Sequence, residues 1–144
     1  MSDINKNIVE LLTQKRDFMT NILNATKSTS LKGTEKDVDV YTELIENRQI
    51  IFNNISDIDK KLQKQEDIIS NASGDFLKQI NIILEAIQSQ AKQIIELDNQ
   101  NKSLVEKAKT SLTGQIRSVK QGKNLSNIYQ SNKDSGYTKF DRMQ

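Results

Sequence analysis

The sequence contains no cysteine and no histidine. Thiol nucleophiles, Cys/His zinc sites, catalytic triads and imidazole general bases are excluded together. Proline and tryptophan are also absent, glycine occurs five times, and aromatic residues make up only 5% of 144 residues. With so few breakers, long helical runs go uninterrupted. With so few aromatics and 35% apolar residues, the chain is poorly suited to a spherical core but well suited to striped helices. Carboxylates remain, but an enzyme relying on them needs a pocket, and a thin bundle offers little concavity. No catalysis, cofactor or metal site is expected, and neither a phosphate-binding loop nor a metal-ligand motif is present.

No apolar run approaches the length of about 20 residues needed to span a bilayer. The N-terminus mixes acidic and amide residues with its apolar ones, unlike a signal peptide. The absent thiols fit a reducing compartment. The expectation is a soluble, cytoplasmic protein without a membrane span.

What the chain does have is one long periodic stretch, Phe76 to Gln121. Leu77, Ile80, Leu84, Ile87, Ala91, Ile94, Asp98, Asn101, Val105, Ala108, Leu112, Gln115 and Val119 recur every three then four residues, as in a coiled-coil seam of about six heptads. Residues 75–121 as one helix would run roughly 70 Å at about 1.5 Å per residue. A compact globule of this chain length has a radius of gyration near about 15 Å. The fold class expected is therefore all-α: an elongated antiparallel three-helix bundle or coiled coil with a long C-terminal helix and a flexible tail.

Two shorter stripes precede it. Residues 3–27 carry Ile4, Ile8, Leu11, Phe18, Ile22 and Ala25, interrupted by Lys15 and widened by Leu12, Met19 and Leu23. Ser2 or Asp3 can cap the start. Residues 36–70 carry Tyr41, Leu44, Arg48, Ile51, Ile55, Ile58, Leu62, Gln65 and Ile69, with Arg48 expected to lay its stem on the seam and its guanidinium in water. Gly33 marks a break, and Thr34 to Asp37 reads as a weak capping box. The turn at 70–75 is short, so the helices on either side should be antiparallel neighbours. Residues 1–121 form the expected bundle and residues 122–144, without a stripe, an expected disordered basic tail.

Folding both turns as symmetric hairpins fixes a register. Lys36 should oppose a residue near Lys109, leaving Leu112, Ile116 and Val119 in an overhang. Ile4 should oppose a residue near Asp59, leaving a thinly covered tip at Leu62, Ile68, Ile69, Phe76, Ile80, Ile83 and Leu84. Exposed apolar stripes of this kind mark interaction surfaces, suited to a heterologous helix or to a homodimer. Charge is unevenly spread about the net +2. Residues 102–144 hold nine Lys/Arg against three acids, and the remainder 12 against 16. A basic end can attract nucleic acid. Tyr129, Tyr137 and Phe140 are too spread for a base-stacking platform, so nucleic acid is not the expected partner.

Leu44-Ile45-Glu46-Asn47-Arg48-Gln49, followed by Ile55-Ser56-Asp57-Ile58-Asp59, resembles the second helix of flagellar export chaperones of the FlgN and FliT type. Leu97-Asp98-Asn99-Gln100-Asn101-Lys102-Ser103-Leu104 is similar to the FlgN pattern of an Asn shortly before a Leu. Gly122-Lys123, Tyr129 and Gly136-Tyr137 look like FlgN-type tails. The resemblance implies a cytoplasmic, non-catalytic chaperone of the flagellar type III export system. FlgN-like members bind the C-terminal helices of hook–filament junction proteins, and FliT-like members bind the filament cap protein. It further implies substrate binding at Leu104, Val105, Ala108, Leu112, Ile116 and Val119. Contact with the flagellar export gate is implied at Tyr129 beside Leu125 and Ile128, with Tyr137 as a competitor. Read without the resemblance, the same stripes fit a structural coiled-coil homo-oligomer.

Overall fold

The computed structural model describes residues 2–119, with side chains through Thr110 and that of Thr113. The described residues form four α-helices and no strand: α1 Asp3–Ser28, α2 Asp37–Gln63, α3 Glu66–Ser70 and α4 Gly74–Val119. The protein is an all-α helical bundle. The expected tail, residues 122–144, lies outside the described residues.

Ser2 caps α1: its Oγ accepts from the Asn5 N–H at 3.1 Å and its carbonyl from Lys6 N–H at 3.0 Å. The expected second helix is two. At Gln65 the backbone closes an i→i+3 turn onto Leu62 O at 2.9 Å, and α3 follows. Lys64 and Gln65 contain no breaker, so nothing in the sequence marks this break. α4 opens on Gly74 at φ +61°, a left-handed conformation that glycine adopts without a β-carbon penalty.

The chain divides into two compact units. The first takes residues 1–27 and 48–96, and so holds three long helical stretches. In it Arg48 Nη1 donates to Thr26 Oγ1 at 3.3 Å and Lys15 Nζ to Asp59 Oδ1 at 2.7 Å. Both pairs advance by the same eleven residues in opposite directions, so α1 and α2 are antiparallel. Gln90 Nε2 donates to Thr20 Oγ1 at 2.5 Å, and Asn5 and Phe76 line one hollow, so α1 and α4 run parallel.

This register corrects the expected one. Lys15, not Ile4, faces Asp59, and α1 reaches the tip. Leu62, Phe76, Ile80 and Ile83 are accordingly buried, Ile68 and Ile69 half-buried, and Leu84 remains exposed. The reason is the connection: residues 29–36 are not a symmetric turn but an eight-residue non-helical segment that lets α2 start well ahead of α1's end.

The buried face also differs in phase. Phe76 and Ile83 are buried where Leu77 (38% exposed) and Leu84 (36%) were expected. Ile80, Ile87, Ile94, Asn101, Val105 and Ala108 lie buried as the seam requires. From Phe76 to Val105 the face advances 29 residues, one more than four heptads. An α-helix with about 3.6 residues per turn drifts about 20° per heptad against a 3.5 repeat, close to one residue over this span. α1 shows a comparable shift, burying Met19 and Thr26 in place of Phe18 and Ala25 and leaving Ile4 half exposed.

Arg48 is 1% exposed, not extended into water. Its guanidinium lies 5.7 Å from the Phe52 ring centroid and reaches the Thr26 hydroxyl, which itself donates to Ile22 O at 2.7 Å. Burying a cation is tolerated only with such partners.

Candidate functional site

The stripe expected to bind a partner begins in the second unit, residues 28–47 and 97–144. Its described part holds the first turns of α2, the end of α4 and the non-helical residues 29–36. α4 places Leu97, Asn101, Leu104, Val105, Ala108 and Lys109 on one face at three-and-four spacing. Val105 and Ala108 are fully buried, Leu104 is half-buried and Lys109 is 4% exposed. From α2 the unit buries Asp37, Tyr41, Leu44 and Ile45.

Residues 29–36 lie against α4. A β-carbon at Gly33 would sit 3.7 Å from Lys107 Cδ and 3.9 Å from Leu104 Cδ2. Gly33 has φ +76°, a left-handed conformation that favours glycine, whereas a β-carbon there would meet only ordinary van der Waals contact. The segment is fastened by Asp37, whose carboxylate accepts from Lys32 N–H at 3.0 Å and Gly33 N–H at 2.6 Å while itself 3% exposed. The expected capping box is therefore replaced by a reverse arrangement. The helix's first residue reaches back to the loop, and its own N–H donates to Thr34 O at 3.0 Å. Leu31 is half-buried. We refer to residues 29–36 as the strap.

The expected substrate residues are thus divided. Leu104, Val105 and Ala108 share one face, and Val105 and Ala108 are closed off inside the chain's own packing. The side chains of Leu112, Ile116 and Val119 lie outside the described residues, although the α4 backbone is helical through Val119. Leu125, Ile128, Tyr129 and Tyr137 also lie outside the described residues. Sequence reasoning overlooked the Asp37 fastening. Its signal was present in Gly33 followed by an acid four residues on, at the start of a helical stripe.

Other surfaces belong to the first unit. Leu77, Leu84 and Ile95 (59% exposed) fall on one face of α4, seven and eleven residues apart. Ile50 and Ile82 are exposed singly. A shallow hollow of about 390 Å³ lies among Asn5, Asp67, Ile68, Ala72 and Phe76. Among the described residues no cluster of three or more acidic, His or Cys side chains could hold a metal ion. No described helix is long and apolar enough to cross a membrane.

No protein-family model matches the chain, and no characterised protein or solved structure matches it either.

Proposed function

We propose that this chain is a cytoplasmic, non-catalytic export chaperone of the flagellar type III system. It binds the C-terminal helices of hook–filament junction proteins, prevents their premature assembly and delivers them to the export gate. The observation that carries the reading is the length of α4. Gly33 stands level with Leu104 and Lys107, and α4 continues helical for twelve residues beyond Lys107. That continuation holds Leu112, Ile116 and Val119, the overhang that the heptads and the family resemblance both single out.

The mechanism is occupation. A client whose helical ends polymerise through apolar heptads is held back when those heptads lie in a bundle with a chaperone helix, the helix-in-groove mode. Burying an aliphatic side chain is worth about 1.5–3 kcal/mol, so two or three such residues suffice for a releasable complex. The tail then offers Tyr129, with Leu125 and Ile128, to the gate.

Calorimetry of the full chain with a hook–filament junction protein's C-terminal helical segment tests this. Leu112→Asp with Ile116→Asp should weaken binding at least about a hundredfold, from the loss of two buried aliphatics. Undiminished affinity in the double variant removes the overhang as the site. Binding of the filament cap protein instead would move the chain to the FliT-like role. Tyr129→Ala should leave client affinity intact and lower client export in cells. Equal export would leave Tyr137 as the gate contact.

A homo-oligomer is the second reading, favoured by the exposed Leu77, Leu84 and Ile95. It requires that Leu84→Glu with Ile95→Glu lower the mass measured by light scattering. An unchanged mass counts against that surface.

A further inference from the structure

We infer that the break between α2 and α3 is a hinge at the tip of the first unit, so that residues 64–73 exchange between the broken path and a straight continuation of α2. The hollow at the tip exists in the broken form and is taken apart in the straight one. The inference is independent of the proposed function and concerns the other end of α4.

No residue at the break forces it. Lys64 and Gln65 are good helix formers, and neither Gly nor Pro occurs from Asp37 to Ser73. α3 spans five residues, none of them buried, and Gln65 at its start makes no side-chain capping bond. The break itself is one i→i+3 turn, with Gln65 N–H donating to Leu62 O at 2.9 Å where a continuous helix would use the Lys61 carbonyl. The apolar pattern fits both paths. Ile58, Leu62, Gln65 and Ile69 keep three-and-four spacing along a straight helix, while the broken path leaves Gln65, Ile68 and Ile69 each half-buried.

The register leaves room for the straight form. The Thr26–Arg48 and Lys15–Asp59 pairs put Asn54 level with Thr20, and Gln90 meets the same Thr20. Sixteen residues on from Asn54 along a straight α2 is Ser70, and sixteen back from Gln90 along α4 is Gly74. Asn71, Ala72 and Ser73 would then join them, within the range of about two to five residues that connects antiparallel helices. Charge tilts the balance toward the break. Lys60 and Lys61 stand in the last turn of α2, and Glu66 and Asp67 in the first turn of α3, each at the favourable end of a helix dipole. Straightening carries both acids to the C-terminal end of a longer helix, where negative charge is disfavoured. Asp67, Ile68, Asn71, Ala72 and Ser73 line the hollow from the moving segment, against Asn5 and Phe76 on the fixed wall. Straightening therefore removes most of its lining.

Nuclear magnetic resonance of the full chain tests this through the Cα shifts of residues 64–70. Glu66→Gln with Asp67→Asn should raise the straight-to-broken ratio roughly tenfold, from the loss of two favourable dipole contacts. The Lys64 and Gln65 shifts should then move toward helical values. High salt should move the unaltered chain the same way by screening. Gln65→Gly, which disfavours the straight helix, should hold the broken pattern with or without the two acids. The Asn5 side-chain amide, on the fixed wall of the hollow, should shift together with the backbone signals. Identical Lys64 and Gln65 shifts in the charge-neutral variant and the unaltered chain, at low and high salt, mean a single fixed path and overturn the inference. A drift of residues 66–70 toward coil values overturns it as well, because that is fraying and not straightening.

Discussion

Arg48 is the residue at which chemistry and position disagree most. Its side chain occupies a seam position of α2 and is as buried as Tyr41, the other large polar member of that helix face. The Thr26 hydroxyl and the Phe52 ring face its guanidinium. Retaining a buried cation costs desolvation that a well-packed apolar side chain of similar volume avoids. Truncation is different, because it removes the stem's packing and leaves a void. Arg48→Ala should therefore destabilise the chain by about 2–4 kcal/mol, in the range for large-to-small core changes. Arg48→Met should cost less than Arg48→Ala, because it keeps most of the stem's volume. Urea denaturation of the three proteins decides the matter. If Met is as damaging as Ala, the guanidinium's polar contacts, not its volume, hold the site together.

Between elements the question is what sets the register of α1 against α2. The visible candidate is the Lys15–Asp59 ion pair, but its side chains are 25% and 48% exposed, and exposed pairs are worth about 0–1 kcal/mol. Ile8, Leu11, Leu12, Ile22 and Leu23 are buried on the same helix, each worth about 1.5–3 kcal/mol. Packing decides the register and the ion pair follows it. Lys15→Ala should shift the denaturation midpoint by no more than the equivalent of about 0.5 kcal/mol, and Ile8→Ala by about 2–4 kcal/mol. A large effect of Lys15→Ala would reverse that ranking. The same distinction explains how much was legible. Helix identity and extent follow from apolar spacing and the lack of Pro, and only the break at Lys64-Gln65 escaped. The register did not follow, because it depends on the path of residues 29–36, and Gly33 reads equally well as a tight turn or an extended crossing. The phase of α4 also slipped: 3.5 and 3.6 periodicities agree over two heptads and differ by a residue over four. Of the candidate site, Leu104, Val105 and Ala108 were located on a common face, but their coverage by the chain itself was not foreseeable from spacing.

At the scale of the molecule, two units share two continuous helices, since α2 and α4 each pass from one into the other. Covalent continuity would let the chain unfold as one body, but the described residues of the two units bury unequal numbers of apolar side chains. The first buries Ile8, Leu11, Leu12, Ile22, Leu23, Ile55, Ile58, Phe76, Ile80, Ile83, Ile87 and Ile94 between three helices. The described part of the second buries Tyr41, Leu44, Ile45, Val105 and Ala108, with a strap in place of a helix, and includes the polar Asp37, Asn101 and Lys109 among its buried residues. Free energies of local opening follow buried apolar contact, so one helix should show two levels of protection along its length. Native-state hydrogen exchange should find the α4 amides of residues 80–94 exchanging only through global unfolding. Those of residues 101–110 should exchange through a smaller opening with weak denaturant dependence, as should α2 residues 41–45 relative to 55–62. Addition of the client helix should raise the second set toward the first, because it adds buried apolar contact to that unit. A uniform protection along α4 in the free protein would mean that the second unit is closed as firmly as the first, with no weaker part for a client to complete.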